Sequence, residues 1–152
     1  MILNEKETNA VKSLQSQEKS CIEKYDKYAQ QAKDTELKNL FHTLKQKEEQ
    51  HYQSLGQLLS GTIPSCDCND SSGKNYEPKA TYTGSIPSAD KEHDCFLATD
   101  CIATEKLVSS EYNTNVFVFG NSDVRKLFAD IQVEEQNHAE MIYKYKTANK
   151  MA

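Results

Sequence analysis

Two pairs of residues, each a glutamate followed three positions later by a histidine, are the part of the sequence best suited to chemistry. They are Glu48 with His51 and Glu135 with His138, and this spacing occurs nowhere else in the chain. On a helix, residues three apart share one face, so each pair would present a carboxylate and an imidazole together. Both groups are common ligands of transition metals. The spacing therefore predicts that the two pairs take part in metal binding.

The two pairs are related by a constant offset of 87 positions. The same offset relates Glu18 to Glu105, Tyr25 to Tyr112, Leu37 to Val124, Lys38 to Arg125, Leu40-Phe41 to Leu127-Phe128, and Leu44 to Ile131. A match without gaps over this length indicates an internal repeat. We therefore expect one helical hairpin that occurs twice in the chain.

Hydrophobic periodicity predicts four long helices in a single all-α domain spanning residues 1–152. Hairpin 1 covers residues 4–60, with helices at about 4–32 and 36–60, and hairpin 2 covers residues 89–148, with helices at about 89–118 and 123–148. Residues 61–88 form a polar connector without periodicity. Its length suits a crossover from one end of the bundle to the other. The predicted architecture is a four-helix bundle made of two repeated hairpins.

The helix ends carry recognisable signals. Asp34 or Thr35 suits the N-cap of the second helix, and Gly61 follows its last apolar residue. Gly120 suits the C′ position after the third helix, and Ser122 suits the N-cap of the fourth. The sequence therefore predicts a tight turn within each hairpin.

Hairpin geometry predicts where the acidic residues meet. Residues equidistant from the turn of an antiparallel hairpin lie at the same height, which pairs Glu18 with Glu48 and Glu105 with Glu135. All four lie on the inner faces of their helices, where ionised carboxylates are costly without compensating cations. The predicted ligand set for two ions is Glu18, Glu48, His51, Glu105, Glu135 and His138. Oxygen and nitrogen ligands without thiolate favour Fe or Mn.

Two further expectations concern the surroundings of this site. Tyr25 and Tyr112 each follow their helix glutamate by seven residues and so lie on the same face. Donation to a ligating carboxylate, one-electron chemistry and a simple core role all remain open for them. Without metal, we expect burial and mutual repulsion to raise the pKa of all four carboxylates. The sequence assigns no catalytic residue.

Composition excludes several classes of function. The formal net charge of −5 and the pI near 5.4 give no indication of nucleic-acid binding. The longest apolar run, Val116 to Phe119, is too short to cross a membrane, and residues 1–8 lack the apolar segment of a signal peptide. We therefore expect synthesis in the cytoplasm.

The five cysteines do not form paired zinc-binding motifs. Cys21 and Cys101 fall on apolar faces and are predicted to be buried thiols. Cys66 and Cys68 lie in the connector, where a local disulfide, a cross-link to another chain and a contact with a soft metal remain open.

The ligand set resembles that of the ferritin-like superfamily, including the rubrerythrins. Several segments more closely resemble CotF-type spore coat proteins: residues 21–29 (CIEKYDKYA), 33–37 (KDTEL), 104–106 (TEK), 109–114 (SSEYNT) and 134–138 (EEQNH). This resemblance implies a ferritin-like bundle deposited in the spore coat. It also implies other coat proteins or further copies of the chain, as in a homodimer, as partners.

Two functions are compatible with the resemblance. One is a structural or protective coat component whose two ions stabilise the bundle. The other is a rubrerythrin- or catalase-like oxidoreductase acting on peroxide or oxygen. Buried ligands favour the enzyme, because leucine at these positions would suit a purely structural core better. The lack of rubredoxin-type Cys-x-x-Cys pairs favours the structural role. Iron storage is not expected, because no fifth helix follows residue 148.

Overall fold

The computed structural model describes residues 1–65, 71–84 and 88–152. Within these ranges all regular structure is helical, as predicted. It comprises α1 Glu5–Gln31, α2 Thr35–Leu59, α3 Ser72–Asn75, α4 Ala89–Val116 and α5 Ser122–Ala148. No helix in the described ranges has the length and apolar character needed to cross a membrane.

Each long helix begins after a residue whose side chain accepts hydrogen bonds from the first turn. Asn4 accepts from the backbone N–H of Glu7 at 2.9 Å, and the Glu7 carboxylate accepts from the Asn4 N–H. Of the two residues predicted to cap α2, Asp34 is the N-cap. Ser88 caps α4 in the same way. These caps fix where α1, α2 and α4 start.

The turn between α4 and α5 differs from the prediction. α4 ends at Val116, and the N-cap of α5 is Asn121 rather than Ser122. The Asn121 side chain accepts from two backbone amides of the first turn, at 2.8 and 3.2 Å. Gly120 does not have a positive φ. Instead of a left-handed glycine, the Arg125 side chain stabilises this turn by donating to two of its backbone carbonyls.

The four long helices pack as two hairpins. α1 packs along α2, and α4 along α5, while α1 also contacts α4 and α2 contacts α5. The core has two apolar clusters, one containing Phe41 near the α1–α2 turn and one containing Phe128 near the α4–α5 turn. The predicted ligands lie between these two clusters. On the inner face of α1, Ala29 is buried and the neighbouring Tyr28 is only partly buried.

The described parts of the connector contact opposite ends of α2. Gly61, with a φ of 93°, directly follows this helix, and its carbonyl accepts from the amine of Met1 at 2.9 Å. Thr81 donates its backbone N–H to Asn149 at 2.9 Å and its hydroxyl to Asp34, the N-cap of α2. The described parts of the connector therefore lie at both ends of α2.

The short helix α3 lies within this connector and packs on α5, which the aperiodic sequence did not predict. The backbone N–H of Gly73 donates to Asn137 Oδ1 at 2.8 Å. The Lys144 ammonium donates to the carbonyls of Gly73 and Lys74, at 2.6 and 3.0 Å. Hydrogen bonds on both sides of Gly73 thus attach the connector to α5.

The cysteines in the helices agree with the prediction. Cys21 and Cys101 are buried free thiols. Burial, followed by the nearby glutamates, raises the pKa of each thiol. Cys66 and Cys68, whose roles were left open, lie outside the described residues.

Candidate metal centre

All four long helices contribute to one polar cluster in the core. Its members are the six predicted ligands: Glu18 from α1, Glu48 and His51 from α2, Glu105 from α4, and Glu135 and His138 from α5. Each is at most 3% exposed. They form two groups of four, and the ligand atoms of each group lie within 4.8 Å of one another.

Two carboxylates belong to both groups. The first group is Glu18, Glu48, His51 and Glu135, and the second is Glu48, Glu105, Glu135 and His138. The shared pair, Glu48 and Glu135, would therefore be available to hold both ions of a pair, while each remaining glutamate and histidine belongs to one group. Dinuclear carboxylate sites in helical bundles use this set of ligands.

Both imidazole rings point Nδ1 towards the shared carboxylates. His51 Nδ1 lies 3.0 Å from Glu48 Oε2 and 2.9 Å from Glu135 Oε1. His138 Nδ1 lies 3.2 Å from Glu48 Oε1 and 3.7 Å from Glu135 Oε2. The two rings stack with centroids 5.8 Å apart and planes inclined by 16°. This orientation suits ligation of a metal through Nδ1 of both rings.

The cluster contains buried polar atoms that lack hydrogen bonds. In the described part of the chain these are Glu18 Oε2, Glu105 Oε2, both oxygens of Glu135, and His138 Nε2. The approach of Glu135 to His51 is close, but it is not aligned as a hydrogen bond. Unpartnered buried polar atoms destabilise the folded state. Bound cations would satisfy the carboxylate oxygens, so the residues present fit a pair of divalent ions.

The histidines and the shared carboxylates have opposite pKa shifts. Burial opposes the charged imidazoles, but contacts with carboxylates outweigh it and raise the pKa of His51 and His138. Burial also opposes ionisation of Glu48, but the two imidazoles hold its pKa well below the ordinary value. For Glu135, burial and the charge of Glu48 are outweighed by the nearby Glu105 carboxyl group and both imidazoles, which lower the pKa.

The unshared carboxylates behave as predicted. Burial, followed by the charge of Glu48, raises the pKa of Glu18 well above its ordinary value. Burial, followed by the charge of Glu135, does the same for Glu105. The prediction of a raised pKa for all four carboxylates is therefore wrong for Glu48 and Glu135, because a histidine nitrogen lies within 3.2 Å of each.

These shifts favour a metal-free cluster whose charges cancel. For the six candidate ligands alone, the directions of these shifts favour protons on Glu18, Glu105 and both imidazoles and ionised Glu48 and Glu135, whose charges sum to zero. Four carboxylates with two neutral imidazoles and two divalent cations also sum to zero. Exchange of protons for metal can therefore occur without leaving a net charge in the core.

Both tyrosines predicted near the site donate hydrogen bonds across the molecule. Tyr25 of α1 donates to Glu105 of α4, and Tyr112 of α4 donates to Glu18 of α1. Burial, followed by the charge of the same carboxylate, raises the pKa of each hydroxyl. Each hydroxyl thus stays protonated and orients a candidate ligand of the opposite hairpin.

One contact of the site was not predicted. The Glu134 carboxylate of α5 contacts His51 Nε2, on the outer side of the ring. Such a partner fixes the tautomer in which Nδ1 is free to bind metal. The internal repeat did not predict this contact, because the residue 87 positions before Glu134 is Lys47, which is not an acid. His138 Nε2 has no hydrogen-bond partner within residues 1–65, 71–84 and 88–152, so the two halves of the site differ.

Comparison with known families gives a match in the second hairpin. Residues 93–151 match the Coat F domain. The match spans less than half of the 152-residue chain and includes Glu105, Glu135 and His138. Hairpin 1, which the sequence resemblance also covered, lies outside it. No curated protein and no solved structure matches the chain, so a ferritin-like relationship stays a prediction.

Proposed function

We propose that this protein is a spore-coat-associated, ferritin-like helical bundle that binds two Fe or Mn ions. The Coat F domain match supports the location. One observation mainly supports the metal site: two groups of buried ligands share Glu48 and Glu135. Other coat proteins, or further copies of this chain, are the proposed partners.

The metal ions would join the two hairpins. The first group consists of Glu18, Glu48 and His51 from hairpin 1 and Glu135 from hairpin 2. The second group has one ligand from hairpin 1, Glu48, and the other three from hairpin 2. Metal that binds only the folded state stabilises that state. A structural and protective role in the coat would use this stabilisation.

Metal content tests the proposal directly. Protein purified without chelator should carry about two Fe or Mn ions per chain. Glu18→Gln should lose one ion, because Glu18 belongs to one group. Glu48→Gln should lose both, because it belongs to both groups. Elemental analysis measures each result.

Glu49→Gln is the matched control for these variants. Glu49 lies on the same helix as Glu48, but its side chain is 44% exposed. This variant should retain both ions. Wild-type protein that takes up no metal, even after anaerobic reconstitution with Fe(II), would overturn the proposed site.

A second candidate function is a di-metal oxidoreductase acting on peroxide or oxygen. A cavity that reaches Glu105 and Glu135 from the surface favours it, because a purely structural site needs no such opening. Two ferrous ions would supply the two electrons that, with two protons, reduce one hydrogen peroxide to two waters. In a catalase-like reaction, a second peroxide returns two electrons and two protons as it becomes dioxygen. Peroxide consumption that is equal in wild type and Glu48→Gln would count against both reactions.

A further inference from the structure

A surface cavity between α4 and α5 reaches one half of the candidate metal centre. Its volume is about 310 Å³, and its lining residues are Glu105, Lys106, Ser109, Glu135, Gln136 and Ala139. Glu105 and Glu135 are buried, whereas the other four are partly or fully exposed. The cavity therefore leads from solvent to the half of the site that contains Glu105.

The two buried residues of the cavity lining have carboxylate oxygen atoms without hydrogen-bond partners in the described part of the chain, and these atoms are shielded from solvent. They are Glu105 Oε2 and both carboxylate oxygens of Glu135. The other oxygen of Glu105 accepts from Tyr25, which holds the carboxylate in place. A molecule entering the cavity would thus lie against two candidate ligands, separated from the metal position by their side chains.

Hairpin 1 has larger side chains at the corresponding positions. The offset of 87 relates Ser109 to Ile22 and Ala139 to Tyr52. The corresponding helices carry the same candidate ligands, so the difference in size does not follow from metal binding. Two of the cavity-lining positions therefore have smaller side chains than their counterparts in hairpin 1.

We infer that a small exogenous molecule reaches the ion bound by Glu105 and His138 through this cavity. This inference rests on the proposed metal site. It specifies which of the two metal positions binds an exogenous ligand. The ligand class is a molecule of two or three heavy atoms with an oxygen or nitrogen donor, such as hydrogen peroxide. The cavity has room for it, because one water occupies about 30 Å³ in the liquid. Lys106 on the cavity wall adds a positive charge that favours polar and anionic ligands.

Azide is a suitable probe, because it is small, anionic and has nitrogen donors. Titration of Fe(III)-loaded protein with sodium azide, followed by visible absorption, measures its affinity for the site. Ala139→Tyr and Ser109→Ile each introduce the larger residue of hairpin 1 into the cavity wall. Each should weaken azide binding by about ten-fold or more, the effect of roughly 1.4 kcal/mol. The metal content should stay at the wild-type level.

The matched controls change the corresponding positions of hairpin 1. Tyr52→Ala and Ile22→Ser should keep the wild-type azide affinity, because neither position lines the cavity. Circular dichroism shows whether each variant folds. Ser109→Ile, the smaller change in side-chain volume, decides the question if Ala139→Tyr does not fold.

The outcomes separate this inference from the proposed function. A wild-type protein without bound metal would overturn the proposed function and this inference with it. A metal-loaded protein that binds no azide, or binds it equally in wild type, Ala139→Tyr and Ser109→Ile, would overturn the inference alone. Loss of metal in both cavity variants would also overturn it, since the cavity would then serve the metal site itself.

Discussion

At the scale of single residues, the two histidines have similar neighbours at Nδ1 and different neighbours at Nε2. Both direct Nδ1 towards Glu48 and Glu135, but among the residues that the structure describes only His51 has a carboxylate, Glu134, at Nε2. A carboxylate on the outer nitrogen orients the ring and increases its basicity as a ligand. The metal position beside His51 should therefore bind its ion more tightly than the position beside His138.

Glu134→Gln tests this difference. The amide keeps the shape of the side chain but removes its charge, so the ion beside His51 should bind about 10- to 100-fold more weakly. Titration of wild-type apoprotein with Mn(II), followed by calorimetry, should show two unequal steps. In Glu134→Gln the affinity of the high-affinity step should decrease, while the affinity of the low-affinity step should stay at its wild-type value.

Lys47→Glu is the counterpart of this variant. Lys47 is the residue of α2 that corresponds to Glu134 in the repeat. A carboxylate there should serve as the missing partner of His138 and strengthen the weaker step. Two equal steps in wild type, unchanged in both variants, would contradict a role for Glu134 in metal binding.

At the scale of the elements, the contact between α3 and α5 requires a residue without a side chain. A Cβ at Gly73 would lie 2.6 Å from Asn137 Oδ1 and 2.5 Å from Glu140 Oε2. The Glu140 side chain is partly exposed and can move away. Asn137 is buried and accepts from the Gly73 N–H, so it cannot move without losing that hydrogen bond. Any side chain at residue 73 should therefore push α3 away from α5.

Gly73→Ala should destabilise the protein by about 1–3 kcal/mol, the usual cost of overpacking. At roughly 2–4 °C per kcal/mol for a chain of this size, calorimetry should detect a lower melting temperature. Gly56→Ala is the matched control. A Cβ there would lie 3.4 Å from the flexible Gln15 side chain, and alanine is favoured over glycine inside a helix by about 0.5–1 kcal/mol. Equal melting temperatures for the two variants would contradict the close contact at Gly73.

At the scale of the whole molecule, residues that recur at a constant offset were predictable. The repeat and the apolar periodicity together identified Glu18, Glu48, Glu105 and Glu135 as interior residues, because these four acids recur at the offset and also lie on the inner faces of their helices. Hairpin geometry then placed them at one height. The cap of α2 was predictable to within two residues, Asp34 or Thr35, because a capping side chain acts on the amides that follow it, and the structure has Asp34.

Features that belong to one half alone were not predictable. Glu134 corresponds to Lys47, and the contact of Gly73 with α5 joins segments distant in sequence. The pKa shifts of Glu48 and Glu135 depend on the direction of two imidazole rings, which spacing does not specify. Such features depend on tertiary packing rather than on local pattern.

Stability of the metal-free molecule should decrease as pH rises from about 5 to 8. Glu18 and Glu105 have raised pKa values, so the folded state keeps their protons after the unfolded chain loses them above an ordinary pKa of 4.5. His51 and His138 act in the same direction above their ordinary value of 6.5. Glu48 and Glu135 have lowered pKa values, so their ionisation stabilises the folded state at every pH above the ordinary pKa of 4.5. This stabilisation is lost only at lower pH, outside this range. Within this window the folded state therefore binds more protons, and stability falls.

Metal should reverse this trend. The ions bind carboxylates and neutral imidazoles, so their binding releases protons from Glu18, Glu105 and both histidines and becomes tighter as pH rises. Melting temperatures of apo and metal-loaded protein should therefore diverge between about pH 5 and 8. The double variant Glu18→Gln with Glu105→Gln is the control. Its apo form should lose less stability than wild type between about pH 5 and 6.5, because the two carboxyl groups that act in this window are gone and the histidines act only above it. Apo and loaded curves that superimpose at every pH would mean that these four carboxylates do not share one metal site.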